Sequence, residues 1–311
     1  MGIAHNLNAF ILAAGKGTRL YPLTKFLPKP LFPLLNEPAI SKVTKRIKEA
    51  GIENIAANCH HLSDKLISWN NNQPQAKRLF LLKEDTLLDT GGGIKNAFDF
   101  FGYDRPLLVY NSDILTNIDL SKLYEAYNKL DADAILCLHD FEKFNKISCN
   151  DDVIVDFSSK DMPNTLAYTG VSIFNPILFK DVVETAPFGL IPFLKEAILK
   201  GKRICFVRGE EITEGGDRWL WHDIGTPYSY LEANFELLDR DNMKNFISDD
   251  CRVLDNAVIG EKVIVGQNAI IEGNVYLEEA ILWPNAIINK DQRIKRAIIT
   301  PFFHLFLEKF E

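Results

Sequence analysis

The sequence predicts an α/β protein in which a doubly wound, mostly parallel sheet is followed by a short β-solenoid. Between residues 8 and 139, short apolar runs alternate with amphipathic stretches of helical period, which is the pattern of strands joined by crossover helices. After about residue 240, short aliphatic clusters recur about every six residues with Gly, Asn or Pro between them, and a fixed period indicates a solenoid. We therefore assign residues 1–245 to the first domain and residues 246–311 to the solenoid.

The first domain begins with a predicted strand at residues 8–13 and continues by alternation. The next predicted strands are 55–59, 79–83, 107–110 and 134–139, and the predicted helices between them are 41–50, 62–69, 92–100 and 120–130. In an open α/β sheet, ligands bind beyond the carboxyl ends of the strands. The segments after Ala13 and after Tyr110 are therefore candidate binding loops.

The predicted solenoid is short and allows only a few coils. Its rows are marked by Val253, Val258, Val263, Ala269, Val275, Ile281 and Ile287. The alternative is a small ordinary β-sheet, because β-prone clusters separated by turn residues are also the pattern of such a sheet.

The composition of the 311 residues is that of a globular protein with a sizeable core, since 47% of them are apolar. The net charge of −7 argues against general binding to nucleic acids or membrane surfaces, and no apolar run approaches the length of a membrane span. The five cysteines are far apart and form no CxxC pair, as is typical of reduced thiols. We predict a cytoplasmic protein with no nucleic-acid or membrane partner.

This acidic chain opens with a basic segment. Residues 12–31 read LAAGKGTRLYPLTKFLPKPL, and no Asp or Glu precedes Glu37. Any anion site in an acidic protein has to be local, and the charge pattern of this segment indicates such a site. The alternative is an ordinary basic surface loop.

The familiar phosphate-loop patterns are incomplete in this segment. The dinucleotide pattern GxGxxG requires Gly where Leu20 stands, and GxxxxGK[ST] is absent. What remains are backbone N–H groups near Gly15 and Gly17 that can point at phosphate oxygens. Arg19 can pair bidentately with a phosphate, and Lys29 is flanked by two prolines that stiffen its backbone.

Five segments together resemble the sugar-1-phosphate nucleotidylyltransferases, also called NDP-sugar pyrophosphorylases. They are residues 12–31, LLDTGGGIKNA (87–97), VYNSDI (109–114), YTGVSIFNPILF (168–179) and WHDIGTPYSYLEA (221–233). The resemblance covers the first 240 or so residues and implies a Rossmann-like nucleotidyltransferase fold. The solenoid resembles the left-handed β-helix that many members of this family append.

The resemblance implies a reaction and a cofactor. In this family the phosphate of a sugar 1-phosphate attacks the α-phosphorus of a nucleoside triphosphate, and pyrophosphate leaves. Two aspartates hold Mg²⁺, and the matching positions are Asp113 and Asp223. Mg²⁺ prefers hard oxygen ligands and few protein carboxylates. From the residues alone, Asp113 also fits a turn or helix cap, and Asp223 fits a cap of the helix that follows it.

The other site residues follow from the resemblance, position by position. Arg19 and Lys29 match residues that contact the phosphates, and with Asp113 they form the predicted catalytic set. The predicted nucleotide-binding residues are Leu12, Ala13, Ala14, Gly15, Gly17, Thr18, Gly91 and Gly92. The predicted sugar-binding residues are Asp89, Asn111, Thr169 and Gly170. For the glycines of DTGGG, the alternative is a plain cluster at a helix start.

The sequence departs from the family pattern in one place. Many members carry a Glu-Lys-Pro motif whose lysine contacts phosphate, and the corresponding residues 153–164 (VIVDFSSKDMPN) lack it, with Lys160 as a candidate substitute. This loss, DTGGG and NSD most resemble the branch of N-acetylmuramate-1-phosphate uridylyltransferases and mannose-1-phosphate guanylyltransferases. That branch often has Glu where Asp89 stands.

The leading hypothesis is an enzyme that uses Mg²⁺ to transfer a nucleotidyl group from an NTP, UTP or GTP, to a sugar 1-phosphate. The rival hypothesis is a non-catalytic regulatory subunit of the same fold that binds an NDP-sugar. The joint presence of Arg19, Lys29, Asp113 and Asp223 favours the enzyme. We also expect a homo-oligomer formed through the C-terminal β-helix.

Overall fold

The computed structural model describes residues 6–157, 165–183 and 186–307. Lys160 lies outside the described residues. The chain divides into two compact units, each assembled from separate segments. The first unit is Met1–Lys16, Leu27–Pro30 and Ile40–Trp221, and the second is Gly17–Phe26, Leu31–Ala39 and His222–Glu311. The single domain boundary between residues 245 and 246 stays a prediction.

Helices and strands follow the alternation that the sequence predicts. The helices are α1 (Ala39–Glu49), α2 (Ser63–Asn71), α3 (Asp89–Phe101), α4 (Leu120–Lys129), α5 (Leu190–Leu199) and α6 (Pro227–Arg240). The strands up to residue 223 are β1 (Asn8–Leu12), β2 (Pro33–Leu34), β3 (Glu37–Pro38), β4 (Ile55–Cys59), β5 (Phe80–Lys83), β6 (Leu107–Asn111), β7 (Ile114–Thr116), β8 (Ala134–His139), β9 (Ile147–Asn150), β10 (Val153–Asp156), β11 (Thr165–Phe174), β12 (Ile204–Arg208) and β13 (Trp221–Asp223). The later strands are β14 (Phe246–Ile247), β15 (Arg252–Val253), β16 (Val258–Ile259), β17 (Val263–Val265), β18 (Ile270–Ile271), β19 (Tyr276–Leu282), β20 (Ile287–Ile288), β21 (Arg293–Ile299) and β22 (His304–Phe306).

The first unit contains a nine-stranded sheet of order β5-β4-β1-β6-β11-β8-β12-β10-β9. β1 pairs in parallel with β4 and β6, so the predicted α/β class is confirmed. The sheet is mixed, however, because β11 runs antiparallel to both β6 and β8 and β10 runs antiparallel to β9 and β12. The other strands share one direction, so "mostly parallel" describes the strand directions but not the centre of the sheet.

Complete burial of the inner strands fixes this sheet in place. Every residue of β4 and β8 is buried, which indicates that both faces of these strands are covered. The core includes Phe10, Phe98 and Phe179, and the rings of Phe98 and Phe179 lie 5.2 Å apart. Burial of one such side chain stabilises the fold by about 1.5–3 kcal/mol. The loops that follow the carboxyl ends of these strands are therefore anchored on a rigid sheet.

The C-terminal strands of the second unit form parallel ladders. Val253 pairs with Ile271, and Ile271 pairs with Ile288, so successive coils are 18 and 17 residues long. This spacing is about three of the predicted six-residue periods. An ordinary sheet of short hairpins would be antiparallel instead. β22 pairs antiparallel with β21 and ends the stack.

The C-terminal strands repeat with about the predicted period, but not every residue that marks a row is buried. Val263, Ala269, Val275 and Ile281 are buried, whereas Val258 and Ile287 are 54% and 50% exposed. Val253 is 39% exposed, although it lies in register with the buried Ile271 and Ile288. Side chains alternate along a strand, so in β20 the buried residue is Ile288 and not Ile287. The aliphatic pairs in these strands made the inward residue ambiguous in the sequence.

Two further findings concern the described residues alone. None of their helices is both long and apolar enough to cross a membrane. All five cysteines carry free thiols, as predicted from their spacing.

Candidate active site

The carboxyl ends of β1 and β6 lie side by side in the first unit. Leu12, the last residue of β1, pairs with Asn111, the last residue of β6. The Ser112 N–H donates to the Leu12 carbonyl over 3.0 Å. The loops of two separate motifs therefore leave the sheet at one edge, where α/β proteins bind ligands.

The loop after β1 changes from buried to open within three residues. Ala13 and Ala14 are 8% and 4% exposed, whereas Gly15 is exposed. A Cβ added at Gly15 would meet no atom within 4 Å. The space next to the Gly15 backbone is thus open to a ligand, as the prediction of a nucleotide contact requires.

Lys29 and Asp113 form an ion pair in the first unit. Lys29 Nζ contacts Asp113 Oδ2, and the two side chains are 12% and 22% exposed. α4, the next helix along the chain, is capped by Asp119, whose carboxylate accepts from the Ser121 N–H. Of the two alternatives for Asp113, the helix cap is therefore wrong, whereas Asp113 does lie in a turn between β6 and β7. Its carboxylate faces a lysine next to the edge of the sheet.

Arg19 and Asp223 form an ion pair in the second unit. Arg19 Nη2 lies 3.3 Å from Asp223 Oδ2, and the two side chains are 59% and 21% exposed. α6 begins at Pro227 and is capped by Thr226, whose side chain accepts from the Ser229 N–H. The alternative that Asp223 caps this helix is therefore wrong.

Gly225 lies against both members of the Arg19–Asp223 pair. A Cβ added at Gly225 would lie 2.5 Å from Arg19 Nη2 and 2.6 Å from Asp223 Oδ1. Any other residue at this position would displace the pair. We did not predict Gly225 as a site residue, although it stands in the segment WHDIGTP, and the signal that could have identified it was a glycine two residues after an expected metal ligand.

The other residues predicted to bind the nucleotide are Gly17 and Thr18, at a short turn, and Gly91 and Gly92, in the first turn of α3. Gly17 has a left-handed φ of 60° and precedes the single 3₁₀ turn Thr18–Leu20, so it takes a conformation that favours glycine. α3 begins at Asp89 and not at the predicted residue 92. Its first-turn N–H groups at Gly91 and Gly92 donate to the Phe188 carbonyl over 3.0 and 3.1 Å.

Packing inside the first unit already requires glycine at position 91. A Cβ added there would lie 2.5 Å from two atoms of the Phe188 ring. No local pattern points to Phe188 as the neighbour of Gly91, because Phe188 is 97 positions further along the chain. The contact of Gly91 and Gly92 with a base or sugar stays a prediction.

The predicted sugar-binding residues are brought together in part. Gly170 has φ +88°, and a Cβ added there would lie 2.9 Å from Asn111 Nδ2, so these two residues approach closely. Thr169 is fully buried, and its hydroxyl donates to the Cys137 carbonyl over 2.8 Å. Asp89 is exposed at the start of α3, where its Oδ1 accepts from the N–H of the next residue over 2.6 Å.

An imidazole ring is buried at the end of β8. His139 is 2% exposed, and its ring centroid lies 4.3 Å from that of Trp221. The Trp221 indole N–H donates to the Thr169 carbonyl over 2.9 Å. Burial lowers the pKa of His139 to about 4, so this ring is neutral near pH 7.

The carboxylates of Asp113 and Asp223 have the donor chemistry for Mg²⁺. No group of three or more His, Cys, Asp or Glu side chains in residues 6–157, 165–183 and 186–307 is placed to hold a metal ion. Mg²⁺ usually needs only one or two protein carboxylates, because phosphates and water complete its shell. Each of these two carboxylates is partly solvated and faces a cationic side chain within its own unit.

A lysine, an aspartate and an open glycine loop lie near the carboxyl edge of the α/β sheet, an arrangement that is typical of phosphate-binding proteins. The family model described as Nucleotidyl transferase matches residues 8–240. The chain belongs to this family, and the resemblance stated from the five segments is confirmed.

Curated relatives carry names from the predicted branch. The chain is 25% identical to the mannose-1-phosphate guanylyltransferase of Mycobacterium tuberculosis, over 94% of this chain and 84% of that protein. It is 28% identical to the N-acetylmuramate alpha-1-phosphate uridylyltransferase of Caulobacter vibrioides, over 74% and 97%. It is 26% identical to the bifunctional protein GlmU of Methanocaldococcus jannaschii, over 85% of this chain but 61% of that relative. The chain thus spans under two thirds of the length of the GlmU relative.

Solved structures share the fold. A UDP-glucose pyrophosphorylase complexed with UDP-glucose aligns with a TM-score of 0.63 and 21% identity, covering 76% of this chain and 99% of that one. HddC from Yersinia pseudotuberculosis complexed with GMP-PN aligns with a TM-score of 0.61 and 21% identity, covering 74% and 99%.

Proposed function

We propose that this chain is a cytoplasmic, Mg²⁺-dependent enzyme that transfers a nucleotidyl group from UTP or GTP to a sugar 1-phosphate. The observation that carries the proposal is the Lys29–Asp113 ion pair, which lies next to the aligned ends of β1 and β6. A lysine and a metal-binding carboxylate at this edge suit a substrate that carries several phosphates.

The proposed reaction needs charge neutralisation more than proton transfer. A phosphate oxygen of the sugar 1-phosphate forms a bond to the α-phosphorus of the NTP. The bond from that phosphorus to the bridging oxygen breaks, and its electron pair leaves with pyrophosphate. The attacking oxygen is already anionic, so catalysis rests on positioning and electrostatics. Lys29 and Arg19 supply positive charge to the phosphates, and the Gly15 backbone leaves room for them.

We propose Asp113 and Asp223 as the ligands of Mg²⁺. The bound ion would neutralise charge on the phosphates. The support is the donor chemistry of each residue, a partly solvated carboxylate that already faces a cation. Asp89, Asn111 and Gly170 are the residues proposed to contact the sugar, together with the backbone of Thr169.

We propose that the C-terminal parallel coils form a left-handed β-helix and that two copies of the chain associate through it. Its outward residue Ile287 is 50% exposed and pairs with the half-buried Ile270 of β18, and neighbouring aliphatic side chains on the outside of a sheet suit contact with a second copy. Light scattering of the full chain and of Ile287→Lys tests this association. We expect a larger mass for the wild type, and a monomeric wild type would contradict the proposal.

A pyrophosphate-release screen tests the activity. Four NTPs are combined with several sugar 1-phosphates, each with and without Mg²⁺. We expect pyrophosphate release with UTP or GTP, and only when Mg²⁺ is present. Lys29→Met should abolish release. Lys45→Met is the matched control, because Lys45 is 68% exposed and pairs with Glu49 along its own helix. Binding of an NDP-sugar without release in any combination would favour the regulatory subunit instead.

A further inference from the structure

The side chain of Asn58 is hydrogen-bonded to the backbone of the loop after β1. It is 3% exposed and lies in β4, next to β1 in the sheet. Its Oδ1 accepts from the N–H groups of both Ala13 and Ala14, over 2.6 and 3.2 Å. One side-chain oxygen therefore fixes two successive peptide planes immediately before Gly15.

Glu84 continues this connection to the start of α3. It is 4% exposed, and its Oε1 accepts from Asn58 Nδ2 over 2.7 Å. Its Oε2 accepts from the N–H of Leu88, the residue before α3, over 3.0 Å. A Cβ added at Gly93 would lie 3.0 Å from Asn58 Nδ2, so the third glycine of DTGGG leaves room for the network.

The hydrogen bonds of Asn58 and Glu84 form one network in which the donors and acceptors are fixed. A buried amide and carboxylate are costly unless every polar atom is paired, and here each donor meets one acceptor. Asn58 can orient in only one way, because its oxygen faces two backbone donors and its nitrogen faces Glu84. The two segments that it joins, Ala13–Ala14 and the start of α3, are both predicted to bind the nucleotide.

We propose that Asn58 and Glu84 are positioning residues for the nucleotide, which they serve by fixing the Ala13–Ala14 amides and the start of α3 relative to one another. This inference rests on the proposed function. Neither side chain needs to touch the ligand. Their effect is to present the Gly15 backbone in one orientation before the NTP binds, which lowers the entropy lost on binding.

Two isosteric substitutions break the network, and their combination restores it. Asn58→Asp places a carboxylate oxygen against Glu84 Oε1, where like charges repel. Glu84→Gln places an amide N–H against either Asn58 Nδ2 or the Leu88 N–H. In the Asn58→Asp/Glu84→Gln double variant, Gln donates to Asp, and all backbone donors regain their acceptors with the net charge unchanged.

The experiment measures calorimetric binding of UTP and GTP with Mg²⁺ and steady-state pyrophosphate release, below the unfolding temperature. Each single variant should raise the nucleotide Kd and KM by about tenfold, equivalent to about 1.4 kcal/mol, with the KM of the sugar 1-phosphate within about twofold of the wild type. The double variant should return the nucleotide Kd to within about threefold of the wild type.

Asn70→Asp is the matched control. Asn70 is 6% exposed and hydrogen-bonds the Leu79 backbone in both directions, over 3.0 and 2.9 Å. Its substitution should lower Tm and leave the nucleotide Kd unchanged.

Three outcomes would overturn the inference. The first is a wild-type nucleotide Kd in both single variants. The second is a folded double variant that binds as weakly as the single variants, and this measurement decides the matter even if the single variants do not fold. The third is a wild type that neither binds UTP or GTP nor releases pyrophosphate, which removes the proposed function as well. In the first two outcomes the wild type is active, so only the inference fails.

Discussion

Gly225→Ala tests whether the geometry of the Arg19–Asp223 pair sets the activity of this chain. The added methyl group would lie 2.5 Å from Arg19 Nη2 and 2.6 Å from Asp223 Oδ1. Ordinary contacts of this kind are about 3.5 Å, so both groups have to retreat by about 1 Å. A displacement of about 1 Å among positioning groups costs about 100-fold in rate.

The same substitution should barely change stability. Arg19 is 59% exposed, and an exposed ion pair contributes about 0–1 kcal/mol to the free energy of unfolding. The expected decrease in Tm is therefore no more than about 4 °C. Pyrophosphate release measures kcat/KM, and thermal unfolding measures Tm on the same preparation.

Gly260→Ala is the control with the opposite signature. A Cβ at Gly260 would lie 2.7 Å from the Leu277 carbonyl oxygen, a backbone atom in the solenoid that cannot swing away. Tm should fall while the folded enzyme keeps its kcat. Wild-type kcat/KM in Gly225→Ala would refute the reasoning, as would a loss of activity that merely follows a loss of folded protein.

Three other substitutions separate the roles of the site, the core and the C-terminal strands. Asp113→Asn should lower kcat by at least about 100-fold and raise the Mg²⁺ concentration for half-maximal pyrophosphate release; an unchanged Mg²⁺ titration would argue against its role as a ligand. His139→Leu should reduce acid sensitivity, because burial lowers the pKa of His139 to about 4. The unfolded chain then binds the extra proton as pH falls from about 6.5 to 4, which destabilises the wild type by up to about 3 kcal/mol. Equal decreases in Tm between pH 7 and 4.5 for both proteins would contradict this. Phe302→Ala removes a ring stacked 4.3 Å from Phe26, worth about 0.5–1.5 kcal/mol. It should raise the KM of the NTP, because Phe26 belongs to the segment that carries Arg19. Phe306 is 56% exposed, and the control substitution Phe306→Ala should leave the KM of the NTP unchanged.

Local periodicity predicted the helices and strands up to residue 139 well. The strands 55–59 and 134–139 agree with β4 and β8 to the residue, because mostly apolar runs of five or six residues are too short for a typical helix and have the length of a buried strand. The start of α3 was wrong by three residues. Glycine has low helix propensity, and the N–H groups of Gly91 and Gly92 are satisfied by a carbonyl from a distant segment, which no local pattern reveals.

The candidate site was predictable only as far as its motifs reach. The motifs identified Lys29 and Asp113, and the structure pairs them. They did not identify Asn58 or Glu84, whose buried hydrogen bonds join segments 26 to 45 residues apart. A lone Asn in a strand and a lone Glu before a helix have no local signature, because their partners are defined only by the pairing of β4 with β1 and β5.

The sequence by itself determined the α/β class, the period of the C-terminal strands and the residue types of the proposed phosphate site, because these depend on local periodicity and residue type. Only the tertiary structure decided that β11 runs antiparallel in the centre of the sheet, which aliphatic residues of the C-terminal strands are buried, and how closely Gly225 approaches Arg19 and Asp223. Each of these depends on the approach of atoms from distant parts of the chain. Such contacts arise from strand pairing and close packing, which act after the local pattern has been set.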